Sequence, residues 1–228
     1  MIKKHKIAAF GIALLASFTA MAQQTGWSVS YKTLHVTTWN EAVRTYNFSR
    51  PFLSEKSPLL SHGVGISYFK TKPTSKGWER GWDWRLSYFQ TSSSSTNLDL
   101  TIAATQLSLG HRFRLTEESE AGKRDFYLTP LLNIHGLARF HNGELIEIEE
   151  GEGSRRLLTG GFGLGGEMAL RQSLWSFKTS NISLILGLQY EPVRWTYQPA
   201  DIFNLSLTAN EKNLSDAFTF RAGFQWSR

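Results

Sequence analysis

The sequence contains no cysteine. This absence excludes the disulfide framework on which many small exported proteins depend. It also excludes attachment of a lipid to an N-terminal cysteine after export. The stability of the chain must therefore come from a good core or from a closed hydrogen-bonded sheet.

Long apolar runs are also missing, since no stretch after residue 23 has 18 consecutive apolar residues. A spanning helix needs about 20 such residues, so no transmembrane helix is predicted. The charge balance is mild as well: the net charge of +6 includes Lys3, Lys4 and Lys6, and without these three it is +3. No basic run is present, and nucleic acid is not a predicted partner.

The first 22 residues have the organisation of a secretory signal peptide. Three lysines precede an apolar segment from Ile7 to Phe18, and Ala20-Met21-Ala22 forms an A-x-A cleavage site. We therefore predict a cleaved signal peptide over residues 1–22 and one domain over residues 23–228.

The chain is rich in aromatic residues, which make up 13% of it, with 8 Trp and 15 Phe. Its mean hydropathy is nevertheless only −0.28. The two facts are compatible if apolar and polar residues alternate along strands, because half of each strand then faces a polar environment. The C-terminal stretch "AFTFRAGFQWSR" has this form, with one face made of Phe218, Phe220, Ala222, Phe224 and Trp226.

Period-2 alternation recurs in eight segments, which predicts eight strands. The segments begin at Gly26, His62, Gly81, Asn97, Arg124, Arg155, Asn181 and Ala217. In the fourth segment the apolar parity changes, since Leu100 and Ile102 differ in parity from Leu107 and Leu109. A β-bulge between residues 103 and 106 would reconcile the two halves.

The connections alternate in length, the first, fifth and seventh being long and the second, fourth and sixth shorter. This pattern, apart from the short third connection, is typical of bacterial outer-membrane barrels. An open sheet in lipid would leave unpaired edges, so only a closed barrel is stable there. We predict an all-β fold, an antiparallel up-and-down transmembrane β-barrel of about eight strands. Residues 42–52 and 201–210 would raise the number to ten if both were strands.

An eight-stranded barrel is just wide enough to be filled by its own side chains. Because an isolated buried charge is very costly, we expect the inward charges to pair in a hydrogen-bonded network. The inward candidates are Lys32, Asp83, Arg85, Asp99, Arg112, Arg114, Arg139, Glu167 and Arg221, and the small inward positions Gly161, Gly163, Gly165 and Ala169 would give them room. The predicted aromatic girdles at the membrane interfaces contain Trp27, Tyr31, Tyr68, Trp82, Tyr127, Tyr190 and Trp226.

The aromatic, alternating last strand resembles the C-terminal assembly signal of outer-membrane β-barrel proteins, although Ser227 and Arg228 follow the final Trp226. Over its mature length the chain resembles the small porin-like or OmpX-like outer-membrane barrels of Gram-negative bacteria, in the style found in Bacteroidota. The resemblance implies residence in the outer membrane, contact with outer-membrane lipid and lipopolysaccharide, and insertion by the barrel-assembly machinery.

Two features of the sequence bear on catalysis or on cofactor and metal binding. "GFGLGG" fits the glycine spacing of a dinucleotide loop at Gly161, Gly163 and Gly166, but it lacks the surrounding βαβ sequence and is interpreted as a small-faced strand. The histidines after the leader carry no metal-ligand spacing, although His135 or His141 near Ser154 could imitate a lipid-modifying site. We predict no catalytic, cofactor-binding or metal-binding residues.

The stretch "GELIEIEEGEG" contains five glutamates, at positions 144, 147, 149, 150 and 152. The alternation at residues 146–149 indicates a hairpin that continues beyond the membrane. It is interpreted as a solvated loop, with strand addition by a partner or binding of divalent cations as alternatives.

The leading functional hypothesis is a non-enzymatic outer-membrane barrel with a structural, adhesive or partner-binding role in its external loops. A barrel enzyme that modifies outer-membrane lipid is one alternative. A soluble exported β-barrel or sandwich that binds a small apolar ligand is another, and its apolar faces would point inward.

Overall fold

The computed structural model describes residues 24–49, 59, 62–73, 79–94, 99–116, 124–145, 147–150, 153–156, 158–196 and 214–228. In chain order the elements are β1 (Gln24–Val36), α1 (Thr37–Ser49), β2 (His62–Pro73), β3 (Glu79–Ser94), β4 (Asp99–Arg114), β5 (Arg124–His141), β6 (Glu144–Leu145), β7 (Glu147–Glu150), β8 (Gly153–Arg156), β9 (Leu158–Ser176), β10 (Asn181–Trp195) and β11 (Leu214–Ser227).

Eight long strands close into an antiparallel barrel, as predicted. Their order around the barrel is β4-β3-β2-β1-β11-β10-β9-β5, and pairing of β4 with β5 completes the ring. The last strand closes against the first, with Trp27 opposite Trp226 and Val29 opposite Phe224. Closure pairs the backbone of each strand with protein on both sides, which is the condition for stability in hydrocarbon.

The strands are staggered around the barrel. Following the paired residues from Ser28 through β2, β3, β4 and β5 leads to Gly163 on β9. Following them through β11 and β10 leads to Ser173, ten residues further along the same strand. The stagger tilts the strands, and with eight strands it encloses a space that side chains can fill.

The two faces of the wall differ in polarity as predicted. Large apolar side chains lie on the outside, including Trp27 at 58% exposure, Leu164 at 62% and Met168 at 65%. The alternate positions are buried and mostly polar, as in Ser28, Asp83 and Arg85. This distribution is that of a transmembrane barrel and is the reverse of what a soluble barrel with an apolar interior requires.

The predicted bulge in β4 is wrong. The pairing of β4 with both neighbours keeps one register between residues 99 and 110. Leu100 and Ile102 are instead buried, and Ile102 belongs to an apolar cluster inside the barrel, so no bulge is needed. Among the described strands, a register shift occurs between Ile182 and Ser183, in the pairing of β10 with β9.

The suggestion of an additional strand over residues 42–52 is also wrong, because residues 37–49 form helix α1. Trp39, Ala42 and Val43 lie on one side of this helix at spacings of three and four residues, and all three are fully buried. The apolar residues of this helix are few and stand among polar ones, so the sequence alone did not indicate a helical period. The other suggested strand, over residues 201–210, lies outside the described residues.

Most of the predicted girdle residues lie on the outer surface, Trp82, Tyr190 and Trp226 among them. Tyr127 is the exception, because it is 2% exposed and faces the lumen. Its neighbour Phe126 is exposed, so strand parity requires Tyr127 to point inward.

Two hairpins lie beyond the barrel wall between β5 and β9. Asn142 and Gly143 join β5 to β6 with positive φ angles of 49° and 83°, the conformation of a type I′ turn. Strands β7 and β8 pair only with each other among the described residues. The hairpin predicted over the glutamate-rich stretch is therefore present. Across the described ranges, no helix has the length and apolar character needed to cross a membrane.

The closure of β1 against β11 predicts a specific cross-link. Directly opposite residues in an antiparallel pair have Cα atoms about 4.5–5.5 Å apart, a separation that a disulfide can span. We expect the variant Val29→Cys/Phe224→Cys to oxidise readily within one chain, and the native sequence has no cysteine to compete. The measurement is the mobility of the unfolded chain on a gel with and without reductant.

The matched control is Val29→Cys/Phe220→Cys, in which the second cysteine lies four residues, or about 13 Å, along the same strand. Equal cross-linking of the two variants would contradict the register of the closing pair.

Candidate functional site: a filled lumen beneath a helical cap

The lumen is occupied at three levels between the two ends of the barrel. Helix α1 and an apolar cluster lie at the end opposite the chain termini. A network of charged and amide side chains fills the middle. A group of aromatic rings and guanidinium groups lies nearer the termini.

The apolar cluster is organised around Trp39 of α1, which is completely buried. The cluster joins Trp39 to buried side chains of β1, β3, β4, β5, β10 and β11, and Tyr46 of the same helix packs against it. The contributing residues are Leu34, Val36, Trp39, Ala42, Val43, Phe89, Ile102, Ala104, Leu137, Val193, Trp195 and Ala217. The cluster covers this mouth of the barrel, and α1 therefore acts as a cap.

Asp83 is the first of three buried carboxylates in the middle layer. Its Oδ2 atom accepts a hydrogen bond from Nη2 of Arg85 at 2.8 Å and another from Nη2 of Arg112 at 2.8 Å. Arg112 also donates to Oε1 of Gln225 at 3.2 Å. These side chains come from β3, β4 and β11, so the bonds cross the lumen.

Glu167 continues the network from β9. Its Oε2 atom accepts from Nη1 of Arg85 at 2.7 Å, and its Oε1 atom accepts from Nη2 of Arg221 at 2.6 Å. All three side chains are at most 1% exposed. Arg85 thus bridges two carboxylates, which compensates charges that would be very costly to bury alone.

Glu191 on β10 is surrounded by neutral donors instead of guanidinium groups. It accepts hydrogen bonds from the amide nitrogens of Gln106 at 2.9 Å, Asn133 at 2.5 Å and Gln189 at 3.1 Å. Nε2 of His135 lies 3.1 Å from its Oε1 atom. This arrangement solvates a fully buried carboxylate with protein groups.

Glycines make room for these carboxylates. A Cβ atom at Gly163 or Gly165 would collide with the Glu191 side chain, and one at Gly187 would collide with Glu167. The predicted use of small inward positions on β9 is therefore correct, and Gly187 on β10 is a further one.

The layer nearer the termini combines cations with aromatic rings. The guanidinium of Arg112 lies 4.4 Å from the ring centre of Phe69 and 5.1 Å from that of Tyr127. The guanidinium of Arg171 lies 5.2 Å from Tyr127 and pairs with Asp125. Stacking of this kind stabilises a cation that is withdrawn from water.

The predicted interior network is thus largely confirmed. Asp83, Arg85, Arg112, Glu167 and Arg221 are joined in one chain of ion pairs. Lys32 is buried too, but Nζ donates to Oγ of Ser87 at 2.6 Å. Arg114 and Arg139 are half-buried, and the side chain of Asp99 lies outside the described residues.

The sequence interpretation placed Asn133 and His135 on the inner face of the fifth strand but did not include Glu191, Gln106 or Gln189. The signal was present, because Gln189 and Glu191 have the opposite parity to the apolar Leu188 and Tyr190 on the same strand.

The histidines do not form a common site. His35 contacts Asn40 near the cap, His62 contacts Tyr31 on the outer surface, and His111 packs against Trp82 and Phe113. His135 is buried beside Glu191, whereas His141 is exposed at the hairpin turn. In the described ranges no group of three or more His, Cys, Asp or Glu side chains could hold a metal ion. The side chain of Ser154 lies outside the described residues.

The "GFGLGG" stretch lies in the middle of β9 and pairs with β5 and β10 on its two sides. A dinucleotide loop would instead connect a strand to a helix. The structure therefore confirms the interpretation of this motif as a barrel strand.

Comparison with known proteins found similarity to solved structures alone; no protein-family model and no curated protein matches the sequence. Neisserial surface protein A is 10% identical, with 91% of this chain and 98% of that chain covered and a TM-score of 0.44. Ail of Yersinia pestis, in complex with the heparin analogue sucrose octasulfate, is 10% identical, with 91% and 100% covered and a TM-score of 0.42. The outer-membrane protease OmpT of Escherichia coli is 8% identical, with 92% and 98% covered and a TM-score of 0.40. Likeness at these scores assigns no activity to this chain.

The closed wall, the apolar outer surface and the polar interior define the class of protein. The chain is a small eight-stranded transmembrane β-barrel of the outer-membrane kind. Its lumen is occupied by its own side chains at three levels.

The ion-pair network predicts a large cost for removing one carboxylate. Glu167→Gln preserves shape but leaves the buried Arg221 without its ion-pair partner and leaves Arg85 with Asp83 alone. We expect the free energy of unfolding in detergent to fall by about 3–5 kcal/mol. Denaturant titration followed by tryptophan fluorescence measures this change.

Glu41→Gln on the exposed side of α1 is the matched control, and its effect should stay within about 0.5 kcal/mol. A similar small effect for Glu167→Gln would mean that the network contributes little to stability.

Proposed function

We propose that this protein is a non-enzymatic outer-membrane barrel that acts through its external end, where it binds a partner or supports adhesion. The single observation that carries the proposal is the filled lumen. A barrel whose interior is occupied by paired charges and closed by a helix is poorly suited to diffusion of solutes. Its surfaces are then the parts available for interaction with other molecules.

The end opposite the termini carries the elements that differ most from a plain barrel. Helix α1, the β5–β6 hairpin and the β7–β8 hairpin all connect strands at this end. Phe48 of α1 is 87% exposed, and Arg44 of the same helix is also exposed. An exposed aromatic ring beside an arginine is a combination common in protein interfaces.

The proposal also covers where the protein resides and how it is exported. Export would require removal of residues 1–22 as a signal peptide, and the barrel-assembly machinery would insert the mature domain with its termini in the periplasm. The external end would then face the surroundings of a Gram-negative cell, amid lipopolysaccharide.

The second candidate is a barrel enzyme that modifies outer-membrane lipid, and no observation in the described residues favours it. His135 and Glu191 are the nearest approach to an acid–base pair, and their side chains are 2% and 0% exposed. A lipid substrate could not reach them without displacing the network.

The filled lumen predicts the absence of ion conductance. We expect no stepwise current when the purified protein is inserted in a planar bilayer, because paired charges occupy the lumen below the cap. Trp39→Ala should also remain silent, although the loss of a buried indole should cost about 3–5 kcal/mol of stability. Stepwise currents in Trp39→Ala alone would instead identify α1 as a gate over an open channel.

The proposed role predicts a phenotype that maps to the external end. Deletion of the gene should reduce surface attachment or auto-aggregation, and the native chain should restore it. Arg44→Ser/Phe48→Ser should fold but not restore it. The matched control is Phe177→Ser, which replaces an exposed phenylalanine at the opposite end.

The mass spectrum of lipid A should be the same in all of these strains. A change in lipid A on deletion would favour the enzyme, and full restoration by Arg44→Ser/Phe48→Ser would exclude these residues from the binding surface.

A further inference from the structure

The outer wall of the barrel contains a groove with a volume of about 650 Å³. This volume is within the range of small-molecule sites, which is about 300–1,000 Å³. The groove crosses β3, β4, β5, β9 and β10 on the face that contacts hydrocarbon. Its lining is almost entirely apolar and includes Trp82, Leu109, Leu132, Leu164 and Tyr190.

Two prolines and a glycine create the depression. Pro130 and Gly166 face each other across β5 and β9, and Pro192 lies nearby on β10. Proline cannot donate to a strand ladder and is uncommon inside sheets. The pairing of β4 with β5 is interrupted between Gly110 and Phe113, and that of β9 with β10 between Tyr190 and Val193.

The floor of the groove thus lies at a part of the wall where large outward side chains are absent. The side chains around it are large, since Leu164 and Tyr190 are 62% and 47% exposed. An extended apolar chain could lie in the groove with these side chains on both sides of it.

Basic residues lie at the end of the groove nearest the chain termini. Trp82 and His111 mark this end, with ring centres 5.3 Å apart. On the same outer face Lys70 is opposite Trp82, and Lys72 is opposite Arg80.

Basic clusters at a membrane surface attract anionic lipid headgroups. An apolar groove that begins beside such a cluster matches the two parts of a phospholipid, the acyl chain and the phosphate.

We propose that the groove and the residues Lys70, Lys72 and Arg80 bind one anionic phospholipid from the leaflet on the side of the chain termini. The headgroup phosphate contacts the three basic side chains. One acyl chain passes Trp82 and His111 and lies over Pro130 and Gly166. This site is separate from the external end and does not depend on the function proposed for it.

The test uses the purified native barrel in a non-ionic detergent, with native mass spectrometry as the readout. The probes are dioleoyl phosphatidylglycerol and dioleoyl phosphatidylcholine, which have the same acyl chains but differ in net charge. We expect one phosphatidylglycerol to remain bound in preference to phosphatidylcholine. Lys70→Gln/Lys72→Gln/Arg80→Gln should weaken the binding of phosphatidylglycerol roughly 100-fold.

A second variant tests the groove itself. Gly166→Leu should fill it and remove the bound lipid while the barrel still folds, since a Cβ atom at this position meets only the Thr129 carbonyl oxygen at 3.9 Å. Folding is checked by the mobility shift on boiling. The matched controls are Lys178→Gln, an exposed lysine in the β9–β10 turn, and Ala222→Leu, on the outer face of β11. Both should bind lipid as the native chain does.

Three results would overturn the proposal: equal retention of the two lipids by the native barrel, unchanged binding in the triple variant, or unchanged binding in Gly166→Leu. A groove occupied by a second copy of the chain would be recognised by a dimer that dissociates in Gly166→Leu, and this result would also overturn it.

Discussion

The pairing of β1 with β11 is the contact on which the rest of the structure depends. Without it the sheet would have two unpaired edges, and each unpaired backbone group in hydrocarbon costs several kcal/mol. The pairing extends from Gly26–Ser227 to Val36–Ala217, and backbone hydrogen bonds between Thr25 and Arg228 continue it. Closure also creates an interior, and every charge of the inner face must then find a partner across a narrow lumen.

A small number of side chains provide the partners for the buried charges. Arg85 neutralises both Asp83 and Glu167, while Glu191 is solvated by amides and His135. The glycines of β9 and β10 leave space for the carboxylates, so polarity and volume are matched at the same positions. Helix α1 completes the interior at one end with Trp39. The middle of the barrel is therefore polar, and the capped mouth is apolar. The apolar cluster lies between the outside of this mouth and the ion pairs in the middle of the barrel.

The outer wall differs from the interior in that its side chains are mainly apolar. Large apolar side chains are exposed on its strands, as lipid contact requires, but Pro130, Gly166 and Pro192 lie where such side chains are missing. Prolines at these positions give up ladder hydrogen bonds that a transmembrane strand normally keeps. That cost falls at a groove whose end lies beside Lys70, Lys72 and Arg80, which supports a role for the groove in lipid contact.

Alternation along each strand determined the barrel, its two faces and the inward position of the charged residues, because the side-chain period of a strand is 2 wherever it lies. The parity of Asp83, Arg85 and Glu167 was therefore readable from the sequence alone. The partners were not, because Arg85 meets Glu167 only through the stagger of the strands around the ring. The same holds for Ile102, whose inward position suits the apolar cluster beneath α1 and follows from no local pattern. Tertiary structure decided these contacts, since it alone brings distant strands and the helix to the same level of one lumen.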